Sequence, residues 1–237
     1  MSERAVVLAG GRGTRLRPYT VVLPKPLMPI GDYPILEVIV RQLQQQGFRH
    51  ITLAVNHQAN LIKAFFQGGE TWGVQIDYSM ESKPLSTIAP LKLISDLPEY
   101  FILMNGDVLT DLNLRSLVSR HIAEKRLFTI AASWRTQTAD YGVLHADENF
   151  TLTQFEEKPT SRYLVSMGVY VVSRSVLANV PDDQKFGFDD LMLSLLAQRK
   201  KVHVHPHDGY WLDIGRPDDY MKAIDDFEKG KDIFLSR

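Results

Sequence analysis

The sequence contains no cysteine, no long apolar run and no excess of charge of either sign. Without cysteine the chain can form no disulfide, no thiolate metal site and no cysteine nucleophile. Residues 1–4 lack the apolar core of a signal region, and no apolar run reaches membrane-spanning length. We therefore expect a cytoplasmic protein without a membrane partner. Because 27 basic side chains nearly balance 28 acidic ones, we expect no nucleic-acid partner, and locally placed charge must bind any polyanion.

The strongest local motif follows the first apolar run. Residues 4–9 predict a buried strand, and residues 10–17 then contain three glycines and three arginines. Glycine lets backbone N–H groups approach an anion and arginine supplies fixed charge, which indicates a polyphosphate site. A plain strand-to-helix turn is the alternative. The loop lacks the Gly-Lys-Ser/Thr of a P-loop, and Leu16 stands where the dinucleotide fingerprint needs its third glycine.

A proline-rich segment comes next. Residues 20–34 contain prolines at positions 24, 26, 29 and 34, which predict an extended, stiff segment. Lys25 lies between two of them, so its backbone is restricted and its amine is aimed reproducibly. Since it is close in sequence to the glycine loop, we expect Lys25 to serve the same site; a solvated loop lysine is the alternative.

Helix and strand patterns alternate in the first half of the chain. Apolar spacing predicts a helix opened by Pro34 and closed by Gly47, further helices over 60–66 and 112–125, and strands over 51–55, 74–78, 100–104 and 127–133. This alternation indicates a mostly parallel, right-handed α/β sheet. Asp107 follows the strand over 100–104, at the carboxyl end where such sheets bind ligands, although a turn-capping aspartate has the same local sequence.

The pattern changes after residue 134. Residues 141–145 and 151–156 predict a hairpin, 165–172 a strand interrupted by Gly168, and 189–199 a helix. Strands over 201–205 and 210–214, the second carrying Asp213, precede a helix from Pro217 to Gly230. Histidines 203, 205 and 207 alternate along one strand and could form a zinc site. Because no cysteine or matched carboxylate lies near them in the sequence, an exposed edge strand is the favoured interpretation. With no repeat and no linker, we expect one domain over 1–237, with a nucleotide half (1–134) and a substrate half (135–237).

These motifs resemble those of the sugar-1-phosphate nucleotidyltransferases (nucleoside-diphosphate-sugar pyrophosphorylases), most closely the mannose-1-phosphate guanylyltransferase-like branch. The likeness begins with LAGGRGTRLRP at 8–18 and PKPL at 24–27. It continues in the family's order with NGD at 105–107, YGV at 141–143, EKP at 157–159, MGVY at 167–170 and WLDIG at 211–215. The resemblance implies a glycosyltransferase-A-like (Rossmann-like) α/β fold, with a mixed, mostly parallel sheet flanked by helices and a small β-rich sugar-binding half. It also implies transfer of a nucleotidyl group from an NTP to a sugar 1-phosphate, with release of pyrophosphate.

The resemblance further implies roles for individual residues. The catalytic set would be Arg15, which neutralises the leaving pyrophosphate, Lys25, which contacts the α-phosphate, and Asp107 with Asp213, which hold Mg²⁺. The nucleotide would be bound by Leu8, Gly10, Gly11, Gly13, Thr14, Glu81, Ser86 and Asn105. The sugar 1-phosphate would be bound by Asp140, Gly142, Glu157, Lys158 and Gly168, with Lys185 adding charge near its phosphate.

One stretch departs from the family's pattern. The family usually has PLGTAG where residues 84–89 read PLSTIA, so we expect Ser86 and Ala89 to narrow the base site and Ile88 to add bulk there. Glu81 offers a carboxylate that can accept from guanine N1–H and the guanine amino group together, which favours GTP. The alternatives are UTP or dTTP with glucose 1-phosphate, or a catalytically silent nucleotide-sugar-binding regulator. The sugar and the oligomeric state stay open, and a homo-oligomer is one option.

Overall fold

A computed structural model describes residues 4–56 and 58–235 and shows a mixed α/β protein. The strands are β1 (Arg4–Leu8), β2 (Pro29–Ile30), β3 (Tyr33–Pro34), β4 (His50–Val55), β5 (Gln75–Met80), β6 (Tyr100–Asn105), β7 (Val108–Thr110), β8 (Phe128–Thr138), β9 (Val143–Ala146), β10 (Leu152–Glu156), β11 (Thr160–Ser173), β12 (Val202–Pro206) and β13 (Trp211–Asp213). The helices are α1 (Ile35–Gln45), α2 (Ala59–Phe66), α3 (Leu114–Ala123), α4 (Phe188–Ala197), α5 (Pro217–Lys229) and α6 (Lys231–Phe234).

Seven strands form the central sheet in the order β12-β8-β11-β6-β1-β4-β5. Strands β6, β1, β4 and β5 are mutually parallel, and β12 is parallel to β8, whereas β11 runs antiparallel to both of its neighbours. The predicted mostly parallel sheet is therefore confirmed. Because β1, β4 and β6 end at the same edge, the loops that follow them meet there.

The hydrophobic core lies on both faces of this sheet. In β1, Ala5 and Val7 belong to one buried cluster and Val6 to the other, since successive side chains of a strand point to opposite faces. Burial on both faces explains why β1 reads as an unbroken apolar run. Side chains of α1, α3 and α5 cover the first face, and those of α4 with residues 85–97 cover the second.

The proline-rich segment differs from the expectation. Instead of being extended throughout, it contains 3₁₀ turns at Tyr19–Val21 and Lys25–Leu27 and the short β2–β3 ladder. The fixed φ of proline also suits the first positions of a helical turn, and Leu27 N donates to Pro24 O at 2.8 Å. The prediction of a continuous extended segment is therefore wrong.

Other boundaries shift for local reasons. Helix α3 begins two residues later than predicted because Asn113 caps it, its Oδ1 accepting from Ser116 N at 2.8 Å. Strands β8 and β11 extend outward beyond the predicted limits, pairing with each other as far as Thr138 and Thr160. The predicted interruption at Gly168 is confirmed, since the register shifts there and Gly168 has a φ of +71°.

The second half of the chain contains the predicted hairpin, formed by β9 and β10. Strand β12 lies at the edge of the central sheet, as predicted. The division of the chain into a nucleotide half and a sugar half stays a prediction. Among the described residues, no helix combines the length and the apolar character needed to cross a membrane.

Candidate active site

The glycine loop leaves β1 at the edge where the neighbouring parallel strands end. Gly13 has a φ of +59°, and Thr20 Oγ1 donates to Gly13 O at 2.7 Å. A Cβ built on Gly13 would lie 2.9 Å from Thr20 Cγ2, so both the backbone conformation and the available space require glycine here. A Cβ on Gly11 would meet nothing within 4 Å, which leaves this part of the loop open to a ligand.

Beside this loop lies a cavity of about 340 Å³. Seven residues that the sequence assigned to the site line it: Leu8, Gly10, Gly11, Glu81, Ser86, Asn105 and Asp107. The loops that follow β1, β5 and β6 are thus brought together around one space, as expected for the carboxyl ends of parallel strands. The predicted nucleotide ligands Gly13 and Thr14 do not line this cavity.

Glu81 follows β5 and is half-buried in the wall of the cavity. Its Oε2 accepts from Leu85 N at 2.7 Å, which orients the carboxylate, while Oε1 has no hydrogen-bond partner among the described residues. Burial raises the pKa of Glu81, and the bond from Leu85 partly opposes that change. The carboxylate is therefore held in place with one oxygen available to a ligand.

The divergent segment after Glu81 turns into the core. Ile88 and Ala89 belong to the second hydrophobic cluster and do not line the cavity, so the expectation that they obstruct the base site is wrong. Their N–H groups both donate to Phe186 O, at 3.2 and 3.0 Å, and these two hydrogen bonds hold the segment against the core. Ser86 does line the cavity, and its φ of +73° is a conformation that residues with a Cβ rarely adopt.

Lys25, Asp107 and Asp213 meet beside this cavity. Lys25 is 8% exposed and its Nζ bonds Asp107 Oδ2. The short β7–β13 ladder, extended by Ile214 N donating to Asp107 O at 3.0 Å, brings the two aspartates together. Burial and then the charge of Asp107 raise the pKa of Asp213, whereas Lys25 and Arg15 lower it.

Arg15 lies next to Asp213. A Cβ built on Gly215 would be 3.1 Å from Asp213 Oδ2 and 3.2 Å from Arg15 Nη2, so the carboxylate and the guanidinium flank the same glycine. The four predicted catalytic residues are therefore gathered at one end of the site, although they come from distant parts of the chain. The two cations in this set can bind a phosphate chain, and the two carboxylates can bind a metal ion.

The two carboxylates suit Mg²⁺. Asp107 Oδ1 is buried and has no hydrogen-bond partner among the described residues, which is costly unless a ligand satisfies it. The charge of Asp107 also raises the pKa of Asp213, a repulsion that a divalent cation would relieve. An all-oxygen donor set without histidine or sulfur is the kind that magnesium prefers.

A second cavity, of about 240 Å³, adjoins the first through Asn105. Asp213, Trp211, Gly168 and residues 165–167 also line it, together with Tyr170. A Cβ on Gly168 would lie 2.5 Å from Asn105 Nδ2, so this glycine makes room for the amide between the two cavities. The second cavity is therefore the natural extension of the site towards the β8–β11 pair.

The remaining predicted sugar ligands lie farther out. Asp140, Glu157 and Lys158 are exposed, and the two cavities are not lined by them. A Cβ built on Gly142 would be 3.3 Å from Glu157 Oε2, so the YGV and EKP motifs do come together. Lys185 is also exposed, in the segment that precedes α4. The roles assigned to these residues stay predictions.

Two residues that line the cavities, and one that contacts a lining residue, are not among the predicted site residues. Asn56 directly follows β4, so the rule that identified Asp107 would also have found it. Trp211 lies in the WLDIG motif, where the sequence pattern points to Asp213 and gives the tryptophan no role of its own. Its indole N–H donates to Met167 O at 2.9 Å, and its ring forms a wall of the second cavity. Arg135, which lies 4.6 Å from the centroid of that ring, gave no sequence signal because its position depends on long-range strand pairing.

The alternating histidines lie away from this site. His207 Nε2 is 2.7 Å from Asp111 Oδ1, which anchors the end of the edge strand β12. Within the described part of the chain, the group close enough to share a metal is His50, Asp77 and Asp96, near the amino ends of the parallel strands. The guanidinium of Arg4 already bonds Asp96 at 3.2 Å in that group.

The fold and the site define a class of protein. A glycine–arginine loop, a buried lysine and paired carboxylates lie at the carboxyl edge of an α/β sheet of the glycosyltransferase-A type. The chain matches the nucleotidyl transferase family over residues 4–230 and belongs to it.

Two curated relatives and one solved structure illustrate this membership. The chain is 33% identical to a UTP–glucose-1-phosphate uridylyltransferase of Synechocystis sp., over 93% of this chain and 62% of the relative. It is 32% identical to a D-glycero-alpha-D-manno-heptose 1-phosphate guanylyltransferase of Aneurinibacillus thermoaerophilus, over 92% and 96%. The structure is similar to that of HddC from Yersinia pseudotuberculosis, with a TM-score of 0.75 at 27% identity over 94% and 99% of the two chains. HddC has also been solved in complex with GMP-PN.

Proposed function

We propose that the protein transfers a guanylyl group from GTP to a mannose-like sugar 1-phosphate, giving a GDP-sugar and pyrophosphate. The observation that carries the proposal is the common cavity that Glu81, the glycine loop and Asp107 line. An enzyme that acts on a nucleoside triphosphate needs three features together: a residue that recognises the base, a loop that binds the phosphates and a metal ligand. The heptose 1-phosphate guanylyltransferase relative and the GMP-PN complex of HddC support guanine as the base.

The reaction needs no general base from the protein. An ionised oxygen of the sugar 1-phosphate attacks the α-phosphorus, and the bond to the β-phosphate oxygen breaks with its electron pair leaving on pyrophosphate. The task of the chain is to bring two polyanions together and to stabilise the charge that develops. Lys25 would contact the α-phosphate and the incoming phosphate, and Arg15 would neutralise the departing pyrophosphate.

Asp107 and Asp213 would hold Mg²⁺, which supplies charge neutralisation at phosphate oxygens when it is bound. Lys25 would leave Asp107 as its ammonium turns to the phosphates. Lys158 would bind the phosphate of the sugar, with Lys185 adding charge nearby. Asp140, Gly142, Glu157 and Gly168 would contact the sugar ring.

Two other functions have specific support. The uridylyltransferase relative supports UTP with glucose 1-phosphate as the substrate pair. The left-handed Ser86 in the cavity wall supports a silent nucleotide-sugar-binding protein, because it departs from the family at a position that faces the ligand. The paired carboxylates Asp107 and Asp213 argue against a catalytically silent protein, because a protein that only binds a nucleotide sugar has less need of two metal ligands.

A substrate panel tests these functions. Pyrophosphate release is measured for GTP, ATP, UTP and dTTP with mannose, glucose and heptose 1-phosphates, in the presence of Mg²⁺. Among these three uncharged sugars, we expect turnover to be highest with GTP and mannose 1-phosphate; a preference for UTP or dTTP with glucose 1-phosphate would overturn the choice of base and sugar. Absence of turnover with every pair would favour the silent protein. We expect Asp107→Asn to abolish turnover with the fold intact, and near-normal rates would contradict the metal assignment.

A further inference from the structure

Arg135 lies at the edge of the second cavity, in contact with one of its walls. The Cζ of this exposed arginine is 4.6 Å from the centroid of the Trp211 ring. Trp211 lines the cavity together with Asp213, and its indole is held by the hydrogen bond to Met167 O. The guanidinium therefore rests on an anchored aromatic surface beside the proposed reaction centre.

Strand register independently places Arg135 on the cavity face. Val165, which lines the cavity, pairs with Ser133, and Arg135 pairs with Tyr163 two residues farther out. Since paired residues share a face and the faces alternate along a strand, Arg135 and Val165 point to the same side. Arg162 points to the opposite side, where its Cζ lies 4.6 Å from the centroid of the Trp134 ring.

No carboxylate among the described residues neutralises the charge of Arg135. Among residues 4–56 and 58–235, no carboxylate forms an ion pair with it; its guanidinium contacts the Trp211 ring, and its charge also acts on the hydroxyl of Tyr210. The cations proposed for the triphosphate and for the phosphate of the sugar are already four: Arg15, Lys25, Lys158 and Lys185. A sugar 1-phosphate with an uncharged ring needs no further cation, so Arg135 is surplus for such a substrate.

We propose, on the basis of the proposed function, that the sugar 1-phosphate carries a second anionic group away from C1 and that Arg135 binds it. The group is a carboxylate or a phosphate, either of which the guanidinium can grip with two parallel hydrogen bonds. Trp211 fixes the plane of the guanidinium, so that little side-chain freedom is lost on binding. Arg135 is then a residue that determines which sugar is accepted.

The test compares Arg135→Gln with Arg162→Gln, a matched control with the same stacking distance on the opposite face. The probes are mannose 1-phosphate, a hexuronic acid 1-phosphate and a hexose 1,6-bisphosphate. We expect the wild-type protein to prefer one of the acidic probes by about tenfold in kcat/KM, the scale of one charge-assisted hydrogen bond. Arg135→Gln should remove that preference through KM and leave mannose 1-phosphate within about twofold, while Arg162→Gln should change neither.

Equal use of neutral and acidic probes by the wild-type protein would overturn the inference. So would an equal loss for all probes in Arg135→Gln, because Arg135 would then act on the shared 1-phosphate. If no pair is turned over, the proposed function fails, and calorimetric binding of the three probes decides the inference separately. Tighter binding of an acidic probe that Arg135→Gln abolishes would support it, and equal binding would overturn it.

Discussion

Replacing Glu81 by glutamine tests which base the cavity accepts. The change keeps the size of the side chain, removes its charge and replaces one acceptor oxygen by an amino group. Because Leu85 N donates to the carboxylate at 2.7 Å, we expect the remaining glutamine oxygen to stay on Leu85. The new NH₂ group would then face the cavity, where the native residue presents Oε1.

The two bases respond in opposite directions. Guanine presents N1–H and an amino group side by side. The glutamine NH₂ group, itself a donor, would face these two donors and could form no hydrogen bond with them. Uracil has carbonyl oxygens beside its N3–H, so the same NH₂ finds an acceptor. Loss of a hydrogen bond to a charged group costs about 1.5–3 kcal/mol, which corresponds to roughly a 10- to 150-fold loss of kcat/KM for GTP. We expect the kcat/KM for UTP to be retained or raised.

Lowering the pH should weaken GTP binding by the wild-type protein, as the Glu81→Gln substitution does. The ionised carboxylate is the form that accepts from guanine, and burial places the pKa of Glu81 above its ordinary value. As pH falls through that pKa, the KM for GTP should therefore rise, and Glu81→Gln should lack this dependence.

Pyrophosphate release at saturating sugar 1-phosphate measures both effects. Glu228→Gln, which neutralises an exposed acid on α5, controls for the change of net charge. If Glu81→Gln changes GTP and UTP kinetics by the same factor, Glu81 does not read the base and the argument for GTP fails.

Three further predictions concern a strained serine, a crowded glycine and a buried histidine. Ser86→Gly relieves a left-handed serine and should raise the free energy of unfolding by about 1 kcal/mol and lower the KM for the NTP. Lys125→Gly, at an exposed φ of +47°, should give the same gain in urea denaturation without a kinetic change; a kinetic change there would contradict the argument. Gly168→Ala should lower the free energy of unfolding by about 1–2 kcal/mol and displace Asn105, and unchanged stability would contradict the crowding argued for this glycine. Burial lowers the pKa of His121 to about 4, so stability should fall by about 3 kcal/mol as pH drops from 6.5 to 4. His121→Gln should flatten that part of the pH–stability curve, and an unchanged slope would contradict the assignment.

The parallel strands were predictable because their signals are local. β1 is apolar on both faces, Gly47 ends α1, and strand ends carry Asp107 and Glu81. The edge where these ends meet follows from topology alone, which is why seven predicted residues share one cavity.

Features that depend on long-range pairing were not predictable. The alternation of β8 shows that Arg135 and Trp134 point to opposite faces, but only pairing with β11 decides which face reaches the cavity. The position of Ile88 also depends on a long-range contact. Its local sequence predicts a bulky side chain near the base, but the hydrogen bond from its N–H to Phe186 O turns the side chain into the core. In both cases the deciding contact joins residues far apart in the chain.

The pairing of Lys25 with Asp107 decides how the metal assignment must be tested. Lys25 is 8% exposed, and removing one partner of a buried pair typically costs about 3–5 kcal/mol because the other charge is left unpaired. Asp107→Ala would therefore lose turnover through unfolding as readily as through loss of a ligand. Asp107→Asn keeps an oxygen for Lys25 and removes only the charge. It also removes one cause of the raised pKa of Asp213, so that Asp213 ionises more readily in the variant. Loss of turnover in a stable Asp107→Asn protein, with Asp213 still charged, would therefore point to the missing carboxylate charge rather than to a damaged fold.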